Sequence, residues 1–216
     1  MKKYLSLKSV KVDKKLSAFL TATKEEFDNF YDFKATEPLL FFVPSRQDLD
    51  LIMGKKTEKW FVGVTKNNAI FILDKNIYAK ESNHKAKNFW LTLKHEYSHI
   101  YYSQMTNSHY PCWLNEGLAC YLSGKKLILS KDYNSALDVF NYFDKSGSNV
   151  YMIGQFWVEF LIKKFGKKKL VRLIKSLNFE ARISERRFAS EFYKIYDFRF
   201  DKKSFTKKLG KNKNLI

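Results

Sequence analysis

The stretch "LKHEYSHIYYSQ", residues 93–104, contains two histidines at a spacing that suits metal binding. On a helix, His95 and His99 are four residues apart and therefore lie on one face, one turn from each other. Their imidazoles can then converge on one ion at about 2.0–2.1 Å, the usual zinc–nitrogen distance. Glu96 can take a proton from an attacking water without being a ligand itself. The spacing predicts one zinc ion per chain, although two ordinary histidines on an amphipathic helix would leave the same pattern.

A catalytic zinc needs a third protein ligand, and Glu116 in "WLNEGLACYL" is the candidate. We expect Trp113, Leu114 and Leu118 to hold this second helix against the first. A glutamate on an otherwise apolar short helix needs a partner, because burying an unpaired carboxylate is costly. Metal binding supplies that partner. The alternative is an exposed glutamate near a helix start, where the helix dipole favours negative charge.

The pairing of "HEYSH" with "WLNEGLA" resembles the gluzincin metallopeptidases. It is similar to the M1 aminopeptidase family, with its WLNEGFA-type segment, and to the smaller peptidase MA-like domains. The resemblance covers about residues 39–177. It implies that His95, His99 and Glu116 bind zinc and that Glu96 is the general base.

Two further matches concern catalysis and packing. "VYMIGQFWVEFL" resembles the family's Tyr-x-x-Gly helix, whose tyrosine hydrogen-bonds the oxyanion of the tetrahedral intermediate. The resemblance therefore implies that Tyr151 stabilises the transition state and that Gly154 allows close packing. Within "WLNEGLA", it implies that Asn115 supports a ligand and that Gly117 is a packing position. Because Tyr151 is one of 13 tyrosines, an ordinary place on an apolar helix is the alternative.

The sequence departs from the M1 pattern at Lys66. In M1 enzymes a Gly-x-Met-Glu-Asn segment carries a glutamate that holds the free amino group of the substrate. The comparable stretch here is "VGVTKNN", in which Lys66 takes that position and would repel an ammonium. We therefore expect an endopeptidase, or a peptidase that recognises a carboxylate, which cuts peptides with a blocked N-terminus as readily as free ones. The strand itself could still pair with an extended peptide.

Periodicity predicts the elements that position these residues. "PLLFFVP" has the form of a buried strand, and "WFVGVTKNNAIFILD" is typical of a hairpin around "KNN". Strands first and helices afterwards favour an α+β fold, and the resemblance makes it zincin-like, with a small N-terminal sheet and a mostly helical C-terminal half. The predicted helices that follow the hairpin cover residues 85–105, 113–123 (ended by Gly124), 131–143, 150–165, 167–177, 182–196 and 202–209.

The N-terminal third is predicted with less detail. "LSLKSVKV" alternates weakly, as a short strand does, and residues 14–34 have helical spacing. Thr23 followed by Glu26 has the form of a capping box, so this region is either one helix or two. Ser45 is expected to cap a short helix that runs through Met53 and ends at Gly54.

With 216 residues, 45% of them hydrophobic, the chain is predicted to be a single metallopeptidase domain. Its parts are an α/β subregion over about residues 1–80, the zinc-binding helices over 85–124, and a helical basic subregion over 130–216. No run of about 18 uncharged apolar residues is present, so we expect no transmembrane segment. No apolar centre follows the charged start, and helical spacing puts Cys112 and Cys120 about 12 Å apart, too far for a disulfide. These features favour the cytoplasm.

The positive charge is concentrated at the C-terminal end. Residues 161–216 contain 18 of the 40 Lys and Arg residues but only 5 of the 22 Asp and Glu residues. In "KKFGKKKLVRLIKSL", apolar residues at helical spacing are expected to face the core, with Lys168, Arg172 and Lys175 outside. Such a surface predicts at most a weak, salt-sensitive contact with nucleic acid or another anionic surface. A solvated helical face explains the same pattern.

The interpretation is a zinc metallopeptidase that acts on a peptide or protein substrate. One alternative is an inactive, zinc-stabilised protein that binds peptides, and another is a basic protein that binds nucleic acid or an anionic surface. A DNA-associated protease in the manner of SprT-like proteins also fits "HEYSH", but "WLNEGLA" argues against it. The remaining histidines, His84 and His109, are expected in surface loops, with His109 between the two metal helices and within reach of the site.

Overall fold

The chain combines one small sheet with many helices. In the computed structural model, the described residues are 12–127, 133–178 and 182–210. Over these residues the architecture is mixed α+β, which confirms the predicted class. The strands are β1 Leu39–Val43, β2 Gly63–Lys66 and β3 Ala69–Leu73. The α-helices are α1 Lys14–Tyr31, α2 Arg46–Met53, α3 Lys75–Tyr78, α4 Phe89–Thr106, α5 Cys112–Ser123, α6 Tyr133–Ala136, α7 Val150–Phe165, α8 Lys167–Lys175, α9 Glu185–Tyr196 and α10 Lys202–Gly210.

The three strands form one mixed sheet in the order β1-β3-β2. β1 runs parallel to β3, and β2 runs antiparallel to it. The predicted hairpin is confirmed, since β2 and β3 are joined by Asn67 and Asn68, whose φ angles of 51° and 55° suit a tight hairpin turn. β2 is therefore an edge strand, and its Thr65 side chain reaches α4, where Oγ1 lies 2.8 Å from the backbone oxygen and 2.9 Å from a carboxylate oxygen of Glu96.

The N-terminal helix α1 is continuous, so the two-helix alternative is wrong. Asp13 caps it by accepting a hydrogen bond from the Leu16 amide at 2.7 Å, whereas Thr23 is a buried residue within the helix. Tyr31 contacts α4, with its hydroxyl 3.2 Å from Ser98 Oγ and its ring stacked on Tyr101. α1 thus packs along one side of α4.

The helices α2 and α5 have the predicted ends. Ser45 Oγ accepts a hydrogen bond from the Asp48 amide, and Gly54 ends α2 with φ 67°. Gly124 ends α5 with φ 74°. The predicted strand "LSLKSVKV" falls almost wholly outside the described residues.

Two predicted helices differ from the structure. The helix that carries "HEYSH" begins only at Phe89, after a 3-10 turn over Ala86–Asn88. The predicted helix over 131–143 is, in its described part, the single turn α6 followed by a 3-10 segment over Leu137–Tyr142. At the junction of these two segments, the indole of Trp157 donates to the Ala136 carbonyl at 2.7 Å and ties the turn to α7.

The helices α5 and α7 cross in direct backbone contact at two glycines. A Cβ atom added to Gly117 would lie 2.3 Å from the carbonyl group of Gly154, and one added to Gly154 would lie 2.2 Å from the Trp113 carbonyl oxygen. Any side chain at these two positions would force the helices apart. The close packing expected of Gly154, and the packing position assigned to Gly117, are both confirmed.

Trp113 has a different partner from the one expected. Its ring stacks on Phe200 at 6.0 Å and meets Phe188 edge-on at 6.1 Å. These rings belong to the C-terminal part of the chain rather than to α4. Leu114 and Leu118 are fully buried. Trp113 therefore joins α5 to the C-terminal helices, so that α5 is held between α4 and the rest of the helical half.

The basic helix α8 has the predicted faces. Lys168, Arg172 and Lys175 are exposed, and Lys175 pairs with Asp32 at 2.9 Å. Across the described residues, no helix is both long and apolar enough to cross a membrane. The apolar face of α8 is buried and consists of Leu170, Leu173, Ile174 and, just after the helix, Leu177.

The glycine crossing gives the first prediction. Gly117→Ala and Gly154→Ala should each lower the free energy of unfolding by about 3 kcal/mol, because the added methyl group overlaps backbone atoms that cannot move locally. Gly210→Ala is the control, since a Cβ there meets nothing within 4 Å. Urea unfolding followed by circular dichroism measures all three. Wild-type stability in the first two variants would show that the helices do not touch at these glycines.

Candidate metal centre

The three predicted ligands converge on one point. His95 and His99 are buried on α4, with their Nε2 atoms 3.3 Å apart. From α5, Glu116 Oε2 lies 3.2 Å from His95 Nε2 and 3.6 Å from His99 Nε2. Zinc bonds of 2.0–2.2 Å in a tetrahedron put donor atoms about 3.3–3.6 Å apart. The residues present therefore fit a tetrahedral zinc ion at three of its four corners.

One hydrogen bond turns His99 towards the other two donor atoms. The Nδ1–H of His99 donates to Asn115 Oδ1 at 2.7 Å, which leaves Nε2 as the ring nitrogen directed at the site. The Asn115 amide nitrogen faces the His109 carbonyl oxygen at 3.5 Å, which fixes the orientation of the amide. Glu116 Oε2 is buried and has no hydrogen-bond partner of good geometry among the described residues. A cation between the three atoms would bind all of them at once, whereas a proton on one imidazole could serve only one contact.

The protonation states also suit a metal. Burial, reinforced by the charge of Lys125, lowers the pKa of His95 to about 3, so its imidazole is neutral. Burial opposes ionisation of Glu116, but the interactions with His99 and His95 outweigh it and lower the pKa of Glu116. His95 Nδ1 lies 3.8 Å from the sulfur of Cys120, whose pKa burial raises to about 12. A neutral imidazole and an ionised carboxylate are the forms that bind zinc.

Glu96 lies beside the three donors and is held by the sheet. Together with the two histidines it offers donor atoms within 4.8 Å of one another, so it is a rival third ligand. Glu116 Oε2 lies 3.2 Å from His95 Nε2, whereas one oxygen of Glu96 is 2.9 Å from Thr65 Oγ1 and can accept a hydrogen bond from it. Gly63 leaves room for it, because a Cβ there would lie 3.2 Å from Glu96 Cγ. Burial raises the pKa of Glu96, as a base that must later release its proton requires.

Tyr151 lies in the first turn of α7, one turn before the glycine crossing. Its ring centroid is 6.0 Å from that of His95 and 6.3 Å from that of Trp60. Burial raises the pKa of the Tyr151 phenol, which therefore stays protonated and able to donate. The structure thus brings Tyr151 to the same site as Glu96 and the three donors.

These groups line one open cavity of about 680 Å³, a size typical of small-molecule and peptide sites. His84 and His109, which the sequence placed in surface loops, both line it. Lys66 does not, and it is exposed at the end of β2. The apolar part of the wall includes Trp60, Phe61, Leu91, Leu127 and Met152.

Thr65 and Lys125 are among the cavity residues that the sequence did not indicate. Thr65 stands next to Lys66, and since successive strand residues point to opposite faces, only one of the two can face Glu96. No local signal in the sequence marks which one does. Lys125 follows the end of α5, and its backbone oxygen accepts a hydrogen bond from Gln155 Nε2 at 2.8 Å, a long-range contact that only the fold reveals.

The metal centre gives the second prediction. Wild-type protein should bind about one zinc ion per chain, and Glu116→Ala should lose it, because two histidines alone leave the site without its third ligand. Glu185→Ala, which removes an exposed carboxylate on α9, should keep the metal. Elemental analysis after incubation with zinc and gel filtration measures the content. Full zinc content in Glu116→Ala would exclude Glu116 as a ligand.

Comparisons with protein-family models, curated proteins and solved structures find no match to this chain. The functional interpretation therefore rests on the site itself. Its components are three donor atoms at tetrahedral spacing, a buried glutamate beside them and a protonated tyrosine on α7.

Proposed function

We propose that this chain is a zinc-dependent metallopeptidase of the gluzincin type, with a zincin-like fold. The observation that carries the proposal is the triangle of His95 Nε2, His99 Nε2 and Glu116 Oε2, with sides of 3.2, 3.3 and 3.6 Å. Two histidines and one glutamate are the protein ligands of catalytic zinc in known peptidases, and they leave one coordination position open. The edge strand β2 against α4 supports the same proposal, since it would border a bound peptide.

The residues around the triangle have the roles that hydrolysis requires. Bound zinc would supply a Lewis acid for the scissile carbonyl and the attacking water. Glu96 accepts the proton of that water and passes it to the leaving amine. Thr65 holds one carboxylate oxygen of Glu96 at 2.9 Å, so the base has a fixed direction. Tyr151 donates a hydrogen bond to the oxyanion of the intermediate.

The positioning of Glu96 favours a catalyst over an inactive zinc-stabilised binding protein. A purely structural zinc site needs its ligands but has no use for a further buried carboxylate. Burying Glu96 costs free energy, and both Gly63 and Thr65 are arranged around it. Such an arrangement is explained by a proton-transfer role.

The charges of the cavity support an endopeptidase rather than an aminopeptidase. Among the described residues that line it, the carboxylates are Glu96 and Glu116. Both already have roles in the proposal, so neither is left to hold the ammonium of a free N-terminus. Lys66, whose repulsion of that ammonium was the expected reason, lies outside the lining. The expected preference for an endopeptidase therefore follows from the lack of a further carboxylate in the described lining, and not from Lys66.

The third prediction separates metal binding from catalysis. Glu96→Gln should retain zinc, because Glu96 is not a ligand, and should lose at least about 10²-fold in kcat, because an amide cannot accept the proton. Elemental analysis and cleavage of a quenched fluorescent peptide library measure the two properties. Near-normal turnover in Glu96→Gln would overturn the assignment of the base.

The fourth prediction concerns the oxyanion. Tyr151→Phe should lower kcat by about 10²-fold with little change in KM, since the phenol acts on charge that develops only in the transition state. Tyr193→Phe, on the exposed face of α9, is the matched control. Steady-state kinetics on the same peptides decide the question, and a KM effect without a kcat effect would mean that Tyr151 only binds substrate.

A further inference from the structure

The metal-binding cavity is bordered by two lysines that the proposed mechanism does not use. Lys125 and Lys126 line the cavity just beyond the end of α5. Lys125 is half-buried, whereas Lys126 is exposed. We propose that these two lysines form a subsite that binds a carboxylate of the peptide substrate. The inference rests on the proposed peptidase function and names the class of substrate that the site prefers.

The position of Lys125 is fixed by the fold. Gln155, buried on α7 one turn after Tyr151, donates a hydrogen bond from Nε2 to the Lys125 backbone oxygen at 2.8 Å. The same Nε2 also donates to Glu159 Oε1 at 2.9 Å, so the amide is held from two sides. The start of this lysine segment is therefore tied to the helix that carries the oxyanion donor. A subsite at this place has a defined distance from the reacting atoms.

Both lysines belong to the wall of the same cavity as the proposed ligands and the proposed base, so their charge lies beside the place where a substrate would bind.

Neither lysine has an acidic partner in the described part of the chain. No carboxylate there lies within 4.0 Å of the Lys125 or Lys126 ammonium. The cavity carboxylates, Glu96 and Glu116, have roles as base and ligand. Two ammonium groups that no described carboxylate pairs with attract an anion, and a peptide offers one either as an acidic side chain or as its C-terminal carboxylate.

The test measures peptide binding separately from cleavage. Acetylated octapeptides with a single glutamate, each with a glutamine twin, are prepared as free acids and as amides. Binding to the zinc-loaded Glu96→Gln protein is followed by fluorescence anisotropy. We expect at least one carboxylate peptide to bind about tenfold more tightly than its neutral twin. The acid and amide arms distinguish a C-terminal carboxylate from an acidic side chain.

The variants remove or keep the charge. Lys125→Met with Lys126→Met retains the aliphatic stems and should abolish the preference, whereas the double arginine variant should retain it. Lys202→Met with Lys203→Met removes two exposed lysines outside the cavity and should change nothing. The subsite is overturned if the protein with both lysines shows no preference for carboxylate peptides. It is also overturned if that preference survives in the double methionine variant.

The proposed function is judged by a different result. If the wild type cuts peptides but shows no carboxylate preference, the subsite is wrong and the peptidase stands. If the wild type cuts no peptide but binds carboxylate peptides through these lysines, the peptidase is wrong and the subsite stands.

Discussion

The contact between Gly117 and Gly154 is the constraint on which the site depends. It lets the backbones of α5 and α7 touch, since a Cβ added to Gly117 would lie only 2.3 Å from the carbonyl group of Gly154. Glu116 precedes the first glycine, and Tyr151 lies one turn before the second. The crossing therefore sets the distance between Glu116, the proposed metal ligand, and Tyr151, the proposed oxyanion donor. A wider crossing would move both groups relative to the histidines of α4, and a displacement of about 1 Å is enough to impair catalysis.

The electrostatics of the centre follow from burial. Three groups that would each be solvated in water are brought together in a region where unpaired lone pairs are costly. Asn115 accepts the Nδ1–H of His99, and so directs Nε2 to the place where Glu116 Oε2 points. The donor atoms are thereby brought within 3.2–3.6 Å of one another. A metal ion bound by the three groups would therefore offset the free-energy cost of burying them.

The sequence was most informative where a local rule sets geometry. Helical spacing predicted that His95 and His99 share a face, and the hairpin at Asn67 and Asn68 followed from turn preferences. Contacts between distant segments were beyond local rules. The partner of Trp113 is an aromatic cluster in the C-terminal part rather than α4. An amphipathic pattern indicates that a residue is buried, but it does not indicate which segment the residue packs against. Thr65 was missed for the same reason, since its role depends on which face of β2 meets α4.

The proposed mechanism depends on Glu116, rather than Glu96, completing a zinc site with His95 and His99. Anomalous X-ray diffraction from crystals of the zinc-loaded protein, at energies above and below the zinc edge, tests it most directly. We expect one anomalous difference peak about 2.0–2.2 Å from His95 Nε2, His99 Nε2 and Glu116 Oε2, with Glu96 beyond bonding distance. A peak bound by Glu96 instead, or no peak between the two histidines, would contradict it.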